Sequence, residues 1–308
     1  MSIIERALNK AKKNEETKPE SSIDPSSKLI IETAGQIQDT VSEAKVSESP
    51  KKTVYVANEN LDPKIIENLD WEKLASLGFL TPASESNKQT QEEYRNLKRP
   101  LINNSFGTDN VGINRPNLIL VTSSVPGEGK TFTAINLAIS IANERDKKVL
   151  LIDADVARPS VSKTLGIRSS PGLVEYLEGQ DYEFTEILVK TNMPGLSVIP
   201  AGKQHKHSTE LLTSNKMKKF AQEMSSKYSD RIIIFDSPPL LAATQAEALA
   251  ALVGQIVLVV EAEKTPQSMV MASVNKLAEC DVVLVMLNKT QMDTGQGYYN
   301  YGYGSYGH

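Results

Sequence analysis

The chain has 308 residues and a net charge of -4, a length that holds one large α/β domain plus appendages and a balance that argues against a broad nucleic-acid-binding surface. Its one cysteine, Cys280, excludes an intramolecular disulfide and any cysteine-built metal or iron–sulfur site, and fits a reducing cytoplasm. No apolar run approaches the ~18–20 residues needed to cross a bilayer, so the expectation is a soluble, cytoplasmic chain.

Ser2-Ile3-Ile4-Glu5 is a capping-box pattern, and Ile3, Ile4, Ala7, Leu8 and Ala11 recur at helical spacing opposite Glu5, Arg6, Asn9, Lys10, Lys12 and Lys13. Residues 1–13 are read as a short amphipathic helix, which docks on a partner, grazes an anionic membrane or simply frays. Polar residues interrupt every apolar stretch there, so the segment is not a secretory signal. Residues 14–54 lack aromatics and are dominated by Ser, Glu, Lys and Pro, the composition of a disordered linker.

Residues 55–115 read as a helical arm. Asp62-Pro63 opens a helical stretch in which Trp71, Leu74, Leu77 and Leu80 supply apolar contacts before the Thr81-Pro82 break. A second helix runs from about Gln89 to Lys98 and is stopped by Pro100. Both precede the first core strand, which makes them an arm rather than part of a sheet.

Residues 116–290 alternate strand and helix signals at the spacing of βαβ units, which predicts a mainly parallel sheet with helices on both faces. Strands are expected at 117–122, 148–153, 196–200, 231–236, 255–261 and 282–288, and helices at 130–145, 215–227, 243–253 and 266–279. Thr265 and Pro266 suit the N-cap and first position of the last helix.

The chemistry collects at strand ends. The strand 117–122 is followed by Ser123-Ser124-Val125-Pro126-Gly127-Glu128-Gly129-Lys130-Thr131 and then a helix, the strand–loop–helix context in which backbone N–H groups and a helix N-terminus converge on phosphate. Gly127 and Gly129 let the backbone approach the phosphates, Lys130 reaches the β- and γ-phosphates, and the Thr131 hydroxyl ligates Mg²⁺. Ser124 stands where the general motif has its first glycine.

Asp153 and Asp155 alternate at the end of Val149-Leu150-Leu151-Ile152, which projects both carboxylates from one side. Ile232-Ile233-Ile234-Phe235-Asp236 is the hydrophobic-strand-then-Asp form of a Walker B motif. Singly, each aspartate reads equally well as a helix cap or turn residue; with the loop they form a Mg-ATP site at the carboxyl ends of the strands. Asp153 is placed to accept or orient a nucleophile's proton, with Asp155 and Asp236 on the metal side. Arg158 stabilises phosphate charge or makes an exposed ion pair, and Asn288-Lys289 contacts the base or is a polar strand end. His205 and His207 read as surface residues.

Residues 291–308 end in five tyrosines, Tyr298, Tyr299, Tyr301, Tyr303 and Tyr306, alternating with Gly, Asn and Ser. Such a segment builds no core and leaves its phenols reachable, whether as phosphoryl acceptors or as a sticky low-complexity tail.

The loop, the Leu150-Leu151-Ile152-Asp153-Ala154-Asp155 strand, the Asp236-Ser237-Pro238-Pro239 strand end and the tyrosine tail together resemble the bacterial tyrosine kinases, while the amino-terminal helix, the segment from Glu92 to Pro100 and Asp153-Ala154-Asp155-Val156-Ala157-Arg158-Pro159 look most like their exosortase-associated branch. The resemblance covers about Gln89 to His308. It implies a P-loop NTPase fold with a deviant Walker A motif, ATP and Mg²⁺ as cofactors, and catalytic Lys130, Asp153 and Asp155. Nucleotide contacts are then expected from Ser124, Pro126, Gly127, Glu128, Gly129, Lys130, Thr131, Phe132 and Asn288, and metal contacts from Thr131, Asp155 and Asp236. It further implies transfer onto the five terminal tyrosines of a neighbouring subunit in a ring-like homo-oligomer, and control of exopolysaccharide or capsule synthesis and export.

The implied partners are the cytoplasmic tail of a membrane polysaccharide chain-length regulator, acting as a separate activator at the inner face of the plasma membrane, and a tyrosine phosphatase. Glu92, Arg95 and Lys98 match the family's Glu-x-x-Arg-x-x-Arg ring contact with Lys in the last place, and Lys lacks the planar fork of Arg. Ala157 stands where the family has an arginine, with Arg158 beside it. The rival reading is a positioning ATPase of the same superfamily; those relatives carry a lysine where this chain has Val125.

Overall fold

Runs of Ile, Leu and Val too short to span a membrane, each closed by a polar or turn residue, form the buried middle of an eight-stranded sheet. The structure, a computed structural model, describes residues 66–82, 88–107, 112–204 and 206–290. The expected amphipathic helix, the linker, the Asp62-Pro63 helix start, His205 and the tyrosine tail lie outside the described residues.

The strands are β1 (Ile66–Glu67), β2 (Leu118–Ser123), β3 (Lys148–Asp153), β4 (Val189–Thr191), β5 (Leu196–Ile199), β6 (Arg231–Asp236), β7 (Gln255–Glu261) and β8 (Val282–Asn288). They are ordered β1-β4-β5-β3-β6-β2-β7-β8, with every pairing parallel except β4 with β5. The helices are α1 (Trp71–Ser76), α2 (Lys88–Phe106), α3 (Lys130–Ala142), α4 (Val161–Leu165), α5 (Leu173–Glu178), α6 (Phe184–Ile187), α7 (Ser208–Leu211), α8 (Asn215–Lys227), α9 (Thr244–Ala250) and α10 (Gln267–Lys276).

Alternation along the central strands splits the core in two. Leu118, Leu120, Ile233, Phe235, Ile256 and Leu258 join one apolar layer with Phe220 and Met224 of α8 and Leu249 of α9. Ile119, Val121, Ile232, Ile234, Val257 and Val259 join the other with α3 and with Tyr94 and Leu101 of α2. The expected α/β sheet with helices on both faces is the observed one. α3 is buried from Thr133 to Ala142, polar positions included, because α2 covers the face it would otherwise turn to water. Among the described residues no helix is long and apolar enough to cross a membrane.

Four local expectations are corrected. α2 does not stop at Pro100 but runs through it to Phe106, because beyond the proline Leu101 is wholly buried and Ser105 donates to the carbonyls of Leu101 and Pro116. Residues 66–70, before α1, are not helical: Ile66–Glu67 adds a parallel edge strand on β4, and Asp70 caps α1 by accepting from Lys73 N. The arm is thus tied into the sheet. α10 begins at Gln267 with Pro266 as its N-cap, and the Thr265 hydroxyl is spent on Glu128 instead. The ends of α3 and α9 fall short of their predicted limits, at Ala142 and Ala250.

Candidate active site

Sheet order and register bring the motifs together. β3, β6 and β2 are neighbours, Asp153 is the register partner of Asp236, and Asp236 that of Val121. Strands that run in parallel and in register carry side chains of partnered residues to the same face, so the last carboxylates of β3 and β6 stand side by side next to the loop that leaves β2. That loop is tied down from the segment after β6, where Leu240 N and Leu241 N donate to the carbonyls of Ser123 and Ser124. Gly127 and Gly129 have φ of 92° and 97°, in the left-handed region that disfavours residues with a Cβ, and Gly129 is the N-cap of α3.

Lys130 and Thr131 open α3 and reach the carboxylates. Lys130 Nζ lies 2.7 Å from Asp155 Oδ2. The Thr131 hydroxyl donates to Asp236 Oδ2 at 2.7 Å and lies 3.0 Å from Ser160 Oγ. Asp153 Oδ2 accepts from Ser160 N and Val161 N, both at 3.1 Å, and so caps α4 from the end of β3. The other oxygens, Asp153 Oδ1 and Asp236 Oδ1, are buried with no hydrogen-bond partner, as is Ser124 Oγ.

Burial first, and then the charge of Asp236, push the Asp153 carboxyl up to about 8. Burial likewise lifts Asp236 to about 6, although Lys130 and the Thr131 hydroxyl pull the other way. For Lys130, burial works against the ammonium, but Asp236 and Asp155 outweigh it and its pKa is raised. The lysine therefore stays charged.

Several expected roles change. Asp155 is not on the strand, because β3 ends at Asp153; it sits in the following turn, where its Oδ1 accepts from Arg158 N at 3.2 Å. The Glu128 carboxylate is turned into the protein, accepting from Val125 N, Glu261 N and the Thr265 hydroxyl, so its side chain braces the loop instead of facing a ligand. The Phe132 ring packs against Phe79 with centroids 4.7 Å apart. The Asn288 amide donates to the Glu128 carbonyl at 2.8 Å. Arg158 is exposed, and His207 lies 3.8 Å from Glu210.

The ring-contact triplet divides. Glu92 and Arg95 pair with each other at 2.5 Å, both half-exposed. Lys98 is not a surface cation: it is buried, donates to Ser140 O at 2.7 Å and pairs with Glu144 Oε1 at 2.9 Å, because α2 lies on α3. Ser160, which touches both Thr131 and Asp153, was not singled out from the sequence; its only signal there was its place after Arg158-Pro159, at a helix start.

Among the described residues no three His, Cys, Asp or Glu side chains form a ready-made metal cage. The donors nonetheless suit Mg²⁺, which takes few protein oxygens and keeps water or phosphate for the rest. The Thr131 hydroxyl stands beside Asp236, whose Oδ1 is orphaned, and both aspartate shifts are of the kind a cation relieves.

A family model described as an AAA domain matches residues 117–277. The chain is 33% identical over 186 residues to tyrosine-protein kinase YwqD of Bacillus subtilis (strain 168), across 60% of this chain and 77% of that protein. It is 36% identical over 168 residues to tyrosine-protein kinase ptk of Acinetobacter johnsonii, across 54% of this chain but only 22% of that longer protein. The kinase domain of Escherichia coli tyrosine kinase ETK superposes with a TM-score of 0.59 at 27% identity, covering 74% of this chain and 85% of that one. With a phosphate loop, paired aspartates and a mainly parallel sheet, the chain belongs to the AAA-domain family and, within it, to the bacterial tyrosine kinases.

Proposed function

We propose that the chain is an ATP- and Mg²⁺-dependent protein-tyrosine autokinase that phosphorylates Tyr298, Tyr299, Tyr301, Tyr303 and Tyr306 of a neighbouring copy. By this it regulates exopolysaccharide or capsule synthesis and export. It works at the inner face of the plasma membrane, where the cytoplasmic tail of a polysaccharide chain-length regulator activates it and a tyrosine phosphatase resets it.

The observation that carries this reading is the convergence of Lys130, Thr131, Asp153, Asp155 and Asp236 on one loop and two strand ends, in a chain homologous to a tyrosine-protein kinase over most of that relative's length. The loop's N–H groups and the Lys130 ammonium suit a polyphosphate. Thr131 and Asp236, with Asp155 nearby, would hold Mg²⁺, which neutralises phosphate charge when bound. In the transfer, the tyrosine Oη forms a bond to the γ-phosphorus, the bond from that phosphorus to the ADP oxygen breaks, and the phenolic proton passes to Asp153 Oδ1. In the ligand-free chain that carboxyl, raised to about 8, already holds a proton at neutral pH, so it would serve as the base once its pKa was lowered beside bound Mg²⁺. Glu92 and Arg95 are the members of the ring motif left on the surface for a neighbouring copy.

The test is the intact mass of the protein after incubation with Mg-ATP, alone and with the activator tail. A ladder of added phosphates confined to Tyr298–Tyr306 is expected, lost in Lys130→Met and in a truncation ending at Gly297. Hydrolysis of ATP without any change of mass, even with the activator present, would reject the kinase in favour of a positioning ATPase.

A further inference from the structure

Two side chains at the end of β8 hold the phosphate loop by its carbonyls. Lys289 Nζ donates to Gly127 O at 2.7 Å and pairs with Glu261 Oε2 at 3.1 Å. Asn288 Nδ2 donates to Glu128 O at 2.8 Å. In a trans peptide the carbonyl and the N–H that follows it point in opposite directions across one plane. Holding Gly127 O toward Lys289 therefore turns the Glu128 N–H the other way, and holding Glu128 O toward Asn288 does the same for the Gly129 N–H.

Those two N–H groups belong to the run that a phosphate-binding loop offers to its anion. Gly127 has no side chain to hold the first plane, and among the described residues no atom beyond its chain neighbours lies within 4 Å of where its Cβ would be. The Glu128 carboxylate completes the brace by fixing Val125 N and joining the loop to Glu261 N and Thr265.

We propose that Asn288 and Lys289 are positioning residues that set the peptide planes of residues 127–129, and so tune the loop's affinity for a polyphosphate chain rather than reading the base. The proposal rests on the nucleotide-site reading above and concerns binding alone, so it is tested without phosphoryl transfer.

The experiment measures equilibrium binding of ATP and of inorganic tripolyphosphate to the full chain. Asn288→Ala and Lys289→Ala should each weaken both ligands by the same factor, about tenfold, equivalent to ~1.4 kcal/mol. Lys289→Arg, which keeps a cationic donor, should recover most of the loss. Lys264→Ala removes another lysine paired with Glu261, at 3.1 Å, that makes no bond to the loop, and should leave both affinities near the parent's. Thermal unfolding of each variant confirms that it is folded. Loss confined to ATP would make Asn288 a base reader and overturn the proposal. So would unchanged affinity in the alanine variants, or a Lys264→Ala effect as large as that of Lys289→Ala. If the parent protein binds neither ligand, the nucleotide site itself is refuted.

Discussion

Replacing Gly129 with alanine separates two costs that the fold imposes on the phosphate loop. With φ at 97°, an L-residue there incurs about 1–2 kcal/mol of backbone strain. The new Cβ would also stand 2.1 Å from Asn288 Nδ2, a side-chain end that can swing aside only by giving up its bond to Glu128 O, worth about 1 kcal/mol. The sum is about 2–3 kcal/mol. Gly127→Ala is the matched control, because its φ is 92° but nothing lies within 4 Å of its Cβ position, so it meets only the strain. In a domain of this size each kcal/mol moves Tm by ~2–4 °C, so Gly129→Ala should melt about 4–12 °C below the parent and ~2–4 °C below Gly127→Ala. In an Asn288→Ala background the gap between the two alanine variants should close. Differential scanning calorimetry of the ligand-free protein reads all of these. Equal losses at both glycines in the parent, or a gap that survives without Asn288, would refute the reasoning.

Asp153 keeps its proton to about 8 in the folded chain against 3.8 when unfolded, so over that window the folded state binds more protons and stability is lost as pH rises. Asp153→Asn should flatten the slope of the urea midpoint between pH 4 and 8 and exceed the parent at pH 8; an unchanged slope would contradict the burial argument. Lys98→Ala should lose about 1.5–3 kcal/mol, because it strands a buried carbonyl and Glu144, whereas Arg95→Ala should stay within ~0.5 kcal/mol in the same denaturation assay. Leu101→Ala, one residue past the helix proline, should cost about 2–5 kcal/mol, and a negligible loss would mean that α2 past Pro100 is not part of the core.

The phosphate loop and its strand–loop–helix setting were legible in the sequence because their causes are local. Glycines mark backbone in the left-handed region, an apolar run of six or seven residues marks a strand, and a polar residue marks its end. The strands β3, β6, β7 and β8 and the helix α8 accordingly fall on their predicted limits. Asp153 and Asp236 were placed at strand ends by the same logic. What the local pattern did not carry is which groups meet. Lys98 matched a surface motif, yet its ammonium lies on Ser140 O, 42 positions away, because α2 lies on α3. Thr265 matched an N-cap, but its hydroxyl meets Glu128, 137 positions away.

Pro100 is a helix breaker in any local account, and only the burial of Leu101 overrides it. β1 is two residues long, too short to have a period, and exists because β4 offers it an edge. The sequence by itself determined where the backbone turns, where strands end in carboxylates and where a phosphate would be held. The tertiary structure decided which carboxylate faces Lys130, which oxygens are left without partners and which side chains pin the loop. Those contacts follow from the order of the strands across the sheet, a long-range arrangement that nearest-neighbour geometry does not encode.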